Sequence, residues 1–473
     1  MPSYTSFSHI FGRKPVIQVA TVLFLIGTII GGLSKNFTYM LVGRSIQGVG
    51  GGGIISLTQI IITDLVPLRD RGKWFGVVQA MWAFGTIFGP VIGGAFAGYA
   101  SWRWIFWINL PFIGTGLVAV PLFIRLNFLP TSMAQKLKQI DYIGSFIFVT
   151  SLTSFLIPIT WGGLEYSWSS WHTLVPLLLG AIGLIFFVIY EEKVAKSPLI
   201  RMIVFKNRTA AISYFGVFVH GITLWSSIYF RPLYFEGVKQ FSPMLTGVAF
   251  LPQAVFVSPV AVATGIMVTK TGRYRWAIWS GWFLTTLGCG LLAIQDIHTS
   301  TVAWVWFNII IGVGFGILFP ALMYPVQAAT GNRDIAFAVG IFGTMRVVGE
   351  TVGIAIAGTI FQNQLRTNLL ANPTLAVDAQ RYSVDAQGLV PIIKAMPEGS
   401  VKEDLLQAYT DALKVVWGVM CALAGFAGLL SLGTKGLSLD RRLQTDQALK
   451  VKEKKKKKDL EKGPNTNVMD PAL

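Results

Sequence analysis

Charge is scarce in this chain. Of its 473 residues only 13% are Asp, Glu, Lys or Arg, about half the ~25% usual in soluble domains. Cysteine is nearly absent. Cys289 and Cys421 are the only two, and both fall within apolar stretches, which argues against a disulfide framework or a zinc site. The chain has no glycine-rich phosphate loop of the GxxxxGK[ST] type, no His/Cys cluster and no nucleophile elbow. ATP-driven pumping and the common hydrolytic chemistries therefore lack their residues, and no enzyme activity is expected. The first apolar run is bounded by Gly12-Arg13-Lys14 and is not followed by a small-residue cleavage site, so no cleavable signal peptide is read there. Apolar stretches are continuous rather than alternating, which excludes the strands of a membrane β-barrel.

What fills the chain instead is hydrocarbon, with 53% of residues hydrophobic. Twelve apolar windows can be marked, at about 16–33, 38–63, 73–98, 103–124, 142–161, 171–190, 209–231, 243–268, 274–294, 302–328, 335–361 and 411–432. Each can cross ~30 Å of lipid as a helix of about 20 residues. A soluble fold would have to bury twelve helices that lack a polar face. The expected fold class is thus an all-α polytopic membrane protein with the bilayer as its first partner.

The formal net charge of +17 does not call for nucleic acid. With residue 1 in the cytoplasm, the loops and tail on that side hold 28 Lys/Arg and the opposite side holds 8. This is the positive-inside bias, and it predicts both termini in the cytoplasm with the long loop 362–410 outside. The tail, 434–473, includes five consecutive lysines, Lys454 to Lys458. It reads as a solvated segment or as one attracted to anionic lipid.

Sliding the chain by 260 residues reveals a parallel repeat of a kind found in transporters. Gly12-Arg13 falls on Gly272-Arg273, and Gly89, Gly93 and Gly98 fall on Gly349, Gly353 and Gly358. Two apolar windows precede Gly272 within its half, whereas only a short polar stretch precedes Gly12. The expected organisation is a loop motif over 1–15, a four-helix part of an N-terminal bundle over 16–124, and an inserted helix pair over 142–190. A six-helix C-terminal bundle over 209–433 and the basic tail complete it. The plan is 6 + 2 + 6 with the first two spans lacking.

Several residues stand out against this apolar background. Gly85, Gly89 and Gly93 recur every four residues on one face of window 73–98, followed by Gly94, so a neighbouring backbone can approach closely there. Pro90 removes a ladder bond and bends the same helix. Arg44, inside window 38–63, either snorkels to the surface or faces an aqueous cavity. Arg346 and Glu350, four apart near the middle of window 335–361, share a face. They are either a mutually neutralised pair that joins helices, or an arrangement in which Glu350 loads and releases a proton. Gln47, Gln79, Trp82, Trp225, Tyr229 and Gln253 are candidates to line a cavity for a mostly apolar substrate, with packing or lipid contact as the plainer reading of each. His220 is a further candidate for proton traffic.

Four motifs stand in a fixed order: Gly12-Arg13-Lys14, Gly43-Arg44-Ser45-Ile46-Gln47-Gly48, Gly89-Pro90-x-x-Gly93-Gly94, and Ser101-Trp102-Arg103 through Asn109-Leu110-Pro111. Together, over about residues 4–434, they resemble the major facilitator superfamily, and within it the fourteen-span drug:proton antiporters of fungi. The resemblance implies two rocking bundles and alternating access. It implies proton-driven export of drugs, toxins or secondary metabolites by a monomer of the plasma or vacuolar membrane, with no cofactor beyond the proton gradient. It also implies that Gly12, Arg13 and Lys14 belong to a gate loop and that Gly85 to Gly94 form the antiporter motif. An importer of siderophores or other small nutrients on the same fold, or a fragment from an incomplete gene model, are the competing readings. One departure concerns the gate. The family places an acid three residues before the loop glycine, and His9 stands there, which cannot act as an anion.

Overall fold

The computed structural model describes residues 1–124, 132–162, 166–331 and 334–440, less some side chains that lie mostly on one helix, Arg71–Tyr99. The chain is helical almost throughout, which is how an apolar segment meets its own backbone hydrogen-bonding need in lipid. The main helices are α1 (Pro2–Phe11), α2 (Arg13–Gly32), α3 (Phe37–Leu65), α4 (Arg71–Tyr99), α5 (Trp104–Phe123), α6 (Tyr142–Trp161), α7 (Trp171–Lys193), α8 (Arg208–Leu233), α9 (Pro243–Thr271), α10 (Arg275–Ala293), α11 (Thr301–Ala321), α12 (Met323–Ala329), α13 (Ile335–Ala371) and α14 (Ser400–Ser431). Among the described residues eleven segments are long and apolar enough to cross a membrane. The 29-residue α4 corresponds to the remaining window of the twelve read from sequence. Side-chain caps start several of them. Asn36 accepts from the Tyr39 amide, Asn207 from Thr209, and Ser300 from Ala303. Large apolar side chains such as Phe112, Phe123, Leu179 and Leu429 project outward, as a lipid-facing surface requires.

The repeat is visible in the backbone. Gly12 and Gly272 carry positive φ, 91° and 65°, and are the glycines of that kind among the described residues. Each turns the chain into the first helix of a matched pair, α2 with α3 and α10 with α11, and both pairs pack closely. The offset also explains α1. Moved by 260 residues, Pro2–Phe11 falls on the last turns of α9. This stretch, read from sequence as part of a loop, is helical and packs on α2, α3 and α13.

Glycine sets how near the helices come. A Cβ on Gly349 would lie 2.1 Å from the Phe218 carbonyl, one on Gly353 2.6 Å from Ile222, and one on Gly221 2.4 Å from the Arg346 carbonyl. The backbones of α8 and α13 are therefore in direct contact. The matching stripe on α4 behaves differently. Among the described residues, a Cβ on Gly85, Gly89 or Gly93 would meet nothing within 4 Å, so the close packing expected of that face is not seen among them. Gly349 and Gly353 pack on α8. Helix α4 instead meets α9 near Gly76, where an added Cβ would lie 3.0 Å from Val262. Gly76 and Gly85 are nine residues apart, which at ~100° per residue puts them on opposite faces. Pro90 and Gly94 lie outside the described side chains.

The long loop 362–410 is also more ordered than its composition suggests. Its first residues extend α13 to Ala371, its last residues begin α14 at Ser400, and Ala379–Val384 and Ala386–Ala395 form short helices between them. Leu365, Leu369, Leu375, Leu405 and Leu406 are buried in this cap. Their spacing is amphipathic, so an average over the window conceals it. Tail residues 441–473 lie outside the described residues.

The α8–α13 contact predicts an asymmetry between repeats. Gly349→Ala is expected to lower stability by about 1–3 kcal/mol, the usual cost of overpacking. Gly89→Ala should change it by less than about 0.5 kcal/mol. Unfolding midpoints of the two purified variants check this, and equal midpoints would contradict the packing.

Candidate substrate cavity and gate

Where α4, α8, α9 and α11 converge, a cavity of about 460 Å³, its open mouth included, is lined by Trp82, Leu224, Trp225, Ile228, Phe250, Gln253, Ala254, Val257, Ser258 and Phe319. Its predominantly apolar wall suits an organic molecule. Pro252 and Pro259 interrupt the hydrogen-bond ladder of α9 along the lining stretch. Three of the six residues picked from sequence, Trp82, Trp225 and Gln253, meet in this wall. Tyr229 stands one step back, stacked on Trp225 with ring centroids 6.0 Å apart. Gln47 does not line it. Gly43 and Gly50 bring the α2 backbone against α3, and Gln47 turns that way, donating to Thr28 Oγ1 at 3.0 Å and accepting from Arg44 at 2.7 Å. Arg44 itself is exposed. Gln79 lies outside the described side chains.

The central charges sit behind the cavity wall. Arg346 is buried, with its guanidinium 3.7 Å over the Phe319 ring and 5.1 Å from that of Phe342. It donates to the Phe319 carbonyl at 3.4 Å. Arg346 and Glu350 are electrostatic neighbours, but the ion pairs among the described residues do not include them. The Trp225 indole lies beside Glu350, so the carboxylate is next to a residue that lines the cavity. His220 is fully buried, bonded through Nε2 to the Phe315 carbonyl at 3.3 Å. A further polar cluster escaped the sequence reading. Arg231 is fully buried and donates to Gln295 at 2.6 Å and to Asn308. Its partners are neutral amides far along the chain, one in the loop after α10 and one on α11, a pairing that no local spacing announces.

The ends that carry the basic turns are joined across the two halves. Arg13 is buried and donates from Nε to Asp64 Oδ2 at 2.9 Å. Lys14 donates to the Pro121 carbonyl at 3.0 Å. Arg71 reaches Gln327 on α12 at 2.9 Å and the carbonyls of Thr63 and Val66 at 2.7 and 2.8 Å. His9 takes up a different role from the acid it replaces. Its ring lies parallel to Phe337 of α13, centroids 4.7 Å apart and 9° between planes. Arg201 stands 4.7 Å over the same phenyl ring and pairs with Asp334 at 2.6 Å. Burial, and then the nearby Arg13 and Arg201, push the His9 pKa down to about 3. The stacked ring is therefore neutral at physiological pH.

Removing one partner of the buried Arg13–Asp64 pair should be costly. Asp64→Asn leaves a cation uncompensated and is expected to destabilise by about 3–5 kcal/mol. The double change Arg13→Met with Asp64→Leu should recover most of the loss. Comparing melting midpoints of wild type, single and double variants reads this. A single variant as stable as wild type would remove the pair from the structure's supports.

Comparison with known proteins bears on the same features. The family description Major Facilitator Superfamily matches residues 1–354. The chain is 52% identical over 461 residues to "MFS transporter L2" of Phoma sp., covering 98% of this chain and 77% of that protein. It is 34% identical to "Efflux pump FUS6" of Gibberella fujikuroi, covering 99% and 84% respectively. Among solved structures, the proton:xylose symporter XylE shares the fold with a TM-score of 0.55 at 15% identity, over 93% of this chain and 84% of that one. With its helices, its repeat and these relatives, the chain belongs to the Major Facilitator Superfamily and is a multi-pass membrane transporter, not an enzyme.

Proposed function

We propose that this transporter exports small amphipathic organic compounds, secondary metabolites or toxins among them, in exchange for protons. The single observation that carries the reading is Glu350. It is a membrane-embedded carboxylate, outside any ion pair among the described residues, and it lies next to Trp225 of the cavity wall. An acid so placed can bind a proton in one state and release it in another, while the adjacent cavity empties or fills. The names of its relatives, several of them efflux pumps, favour export as the direction. Both termini are assigned to the cytoplasm on the Lys/Arg distribution, which makes the joined end of the two halves the cytoplasmic gate.

Glu350→Gln is expected to abolish accumulation against a gradient in inverted vesicles while facilitated exchange of substrate persists. The double variant Arg346→Met with Glu350→Gln should fold and still fail to accumulate. Full proton-driven accumulation in the double variant would refute the coupling role. For orientation, Val377, 90% exposed, and Ile203, 59% exposed, provide sites on opposite sides. An impermeant thiol reagent added to intact cells should label Val377→Cys and spare Ile203→Cys. The reverse pattern would invert the assigned topology.

A further inference from the structure

The cavity's polar chemistry is narrow. Its wall holds the rings of Trp82, Trp225, Phe250 and Phe319, one amide, Gln253, one hydroxyl, Ser258, and no charged side chain. Gln253 is almost wholly buried, and so is Ser227 of α8 behind it. The Ser227 hydroxyl donates to Gln253 Oε1 at 2.9 Å. A serine inside a helix commonly donates to the carbonyl one turn back. Here the neighbouring Thr223 does so, to Val219 and His220, whereas the Ser227 proton is committed to Gln253. An amide has one acceptor end and one donor end. With its oxygen held by Ser227, the end left for the cavity is the NH2 group. Phe319, meanwhile, already carries Arg346 over its ring at 3.7 Å. A ring engaged by one guanidinium is a poor host for a second cation.

Resting on the reading of this cavity as the substrate site, we propose that it selects flat, neutral compounds bearing a carbonyl or similar acceptor oxygen, and that Ser227 sets this preference by fixing the Gln253 amide. The rings supply stacking area that tolerates many skeletons. The oriented amide supplies discrimination, because leaving its NH2 group unpaired costs affinity. Ser227 is a positioning residue in this scheme, and Gln253 touches the substrate.

Three matched probes test it: 9,10-anthraquinone, anthracene and cationic 9-aminoacridine, titrated against the detergent-solubilised full chain by quenching of tryptophan fluorescence. The anthraquinone is expected to bind up to about tenfold tighter than anthracene, given the usual worth of one hydrogen bond, and tighter than 9-aminoacridine. Gln253→Leu, or the closer isostere Gln253→Met, should bring the anthraquinone advantage to within about twofold while leaving anthracene unchanged. Ser227→Ala should shrink the advantage without abolishing it, since the amide then turns freely. Variant-to-wild-type ratios cancel partition into the micelle. Equal affinities for anthraquinone and anthracene, an advantage that survives both Gln253 variants, or tightest binding of 9-aminoacridine would overturn the proposal. If Trp225→Ala leaves all three affinities unchanged, the probes bind elsewhere. The reading of the cavity as the substrate site then fails as well, a result distinct from binding without discrimination.

Discussion

Direct backbone contact between α8 and α13 is the constraint on which the centre of this molecule rests. Gly221, Gly349 and Gly353 permit it, each at a point where a methyl group would collide with a carbonyl or main-chain atom of the other helix. In lipid there is no hydrophobic force to press helices together, so close approach and van der Waals contact must hold them. Because the two axes are this near, Glu350 of α13 comes beside Trp225 of α8, and Ser226 donates to the Gly353 carbonyl at 3.0 Å. A wider spacing would uncouple the carboxylate from the cavity wall. The central charges and the cavity wall are thus separate in chemistry but joined in position.

Polar groups are spent unevenly through the bundle. The cavity has few, the joined end has many, and the opposite end has the Arg231 cluster with the π-helical turn Tyr234–Val238 that continues α8. Near that turn, Lys239 donates to the carbonyls of Ile297 and Thr299. Both ends are therefore tied by arginine or lysine to neutral acceptors as well as to carboxylates. A cation held by amide and carbonyl oxygens keeps its charge without a titratable partner. Such ties do not loosen when a carboxylate gains a proton.

Much of this was legible in the sequence, and the failures are instructive. The helices could be read because each must be apolar over ~20 residues regardless of its neighbours. Trp82, Trp225 and Gln253 could be read because bulky rings and a lone amide are conspicuous in such runs. The glycine stripe of α4 finds no close neighbour among the described residues, because close packing belongs to a pair of helices. The sequence of one member says only that approach is allowed. Gln47 went astray for a related reason: Gly43 and Gly50 decided which way that face of α3 would turn. Arg231, Asp64 and Gln327 were passed over because their partners lie far along the chain, and long-range pairing leaves no local period. His9 could be recognised as a misfit, but only Phe337 across the interface reveals what replaced the lost charge.

That replacement alters what the joined end responds to. An ion pair with partly exposed ends, such as Arg201–Asp334, weakens as counter-ions accumulate, over a distance of roughly 10 Å at 0.1 M salt. A phenyl–imidazole stack has no net charge to screen. The start of α13 therefore carries one contact that depends on ionic strength, to Arg201 in the segment before α8, and one that does not, to His9 of α1. Raised ionic strength would loosen the first, while the second still holds α1 on α13.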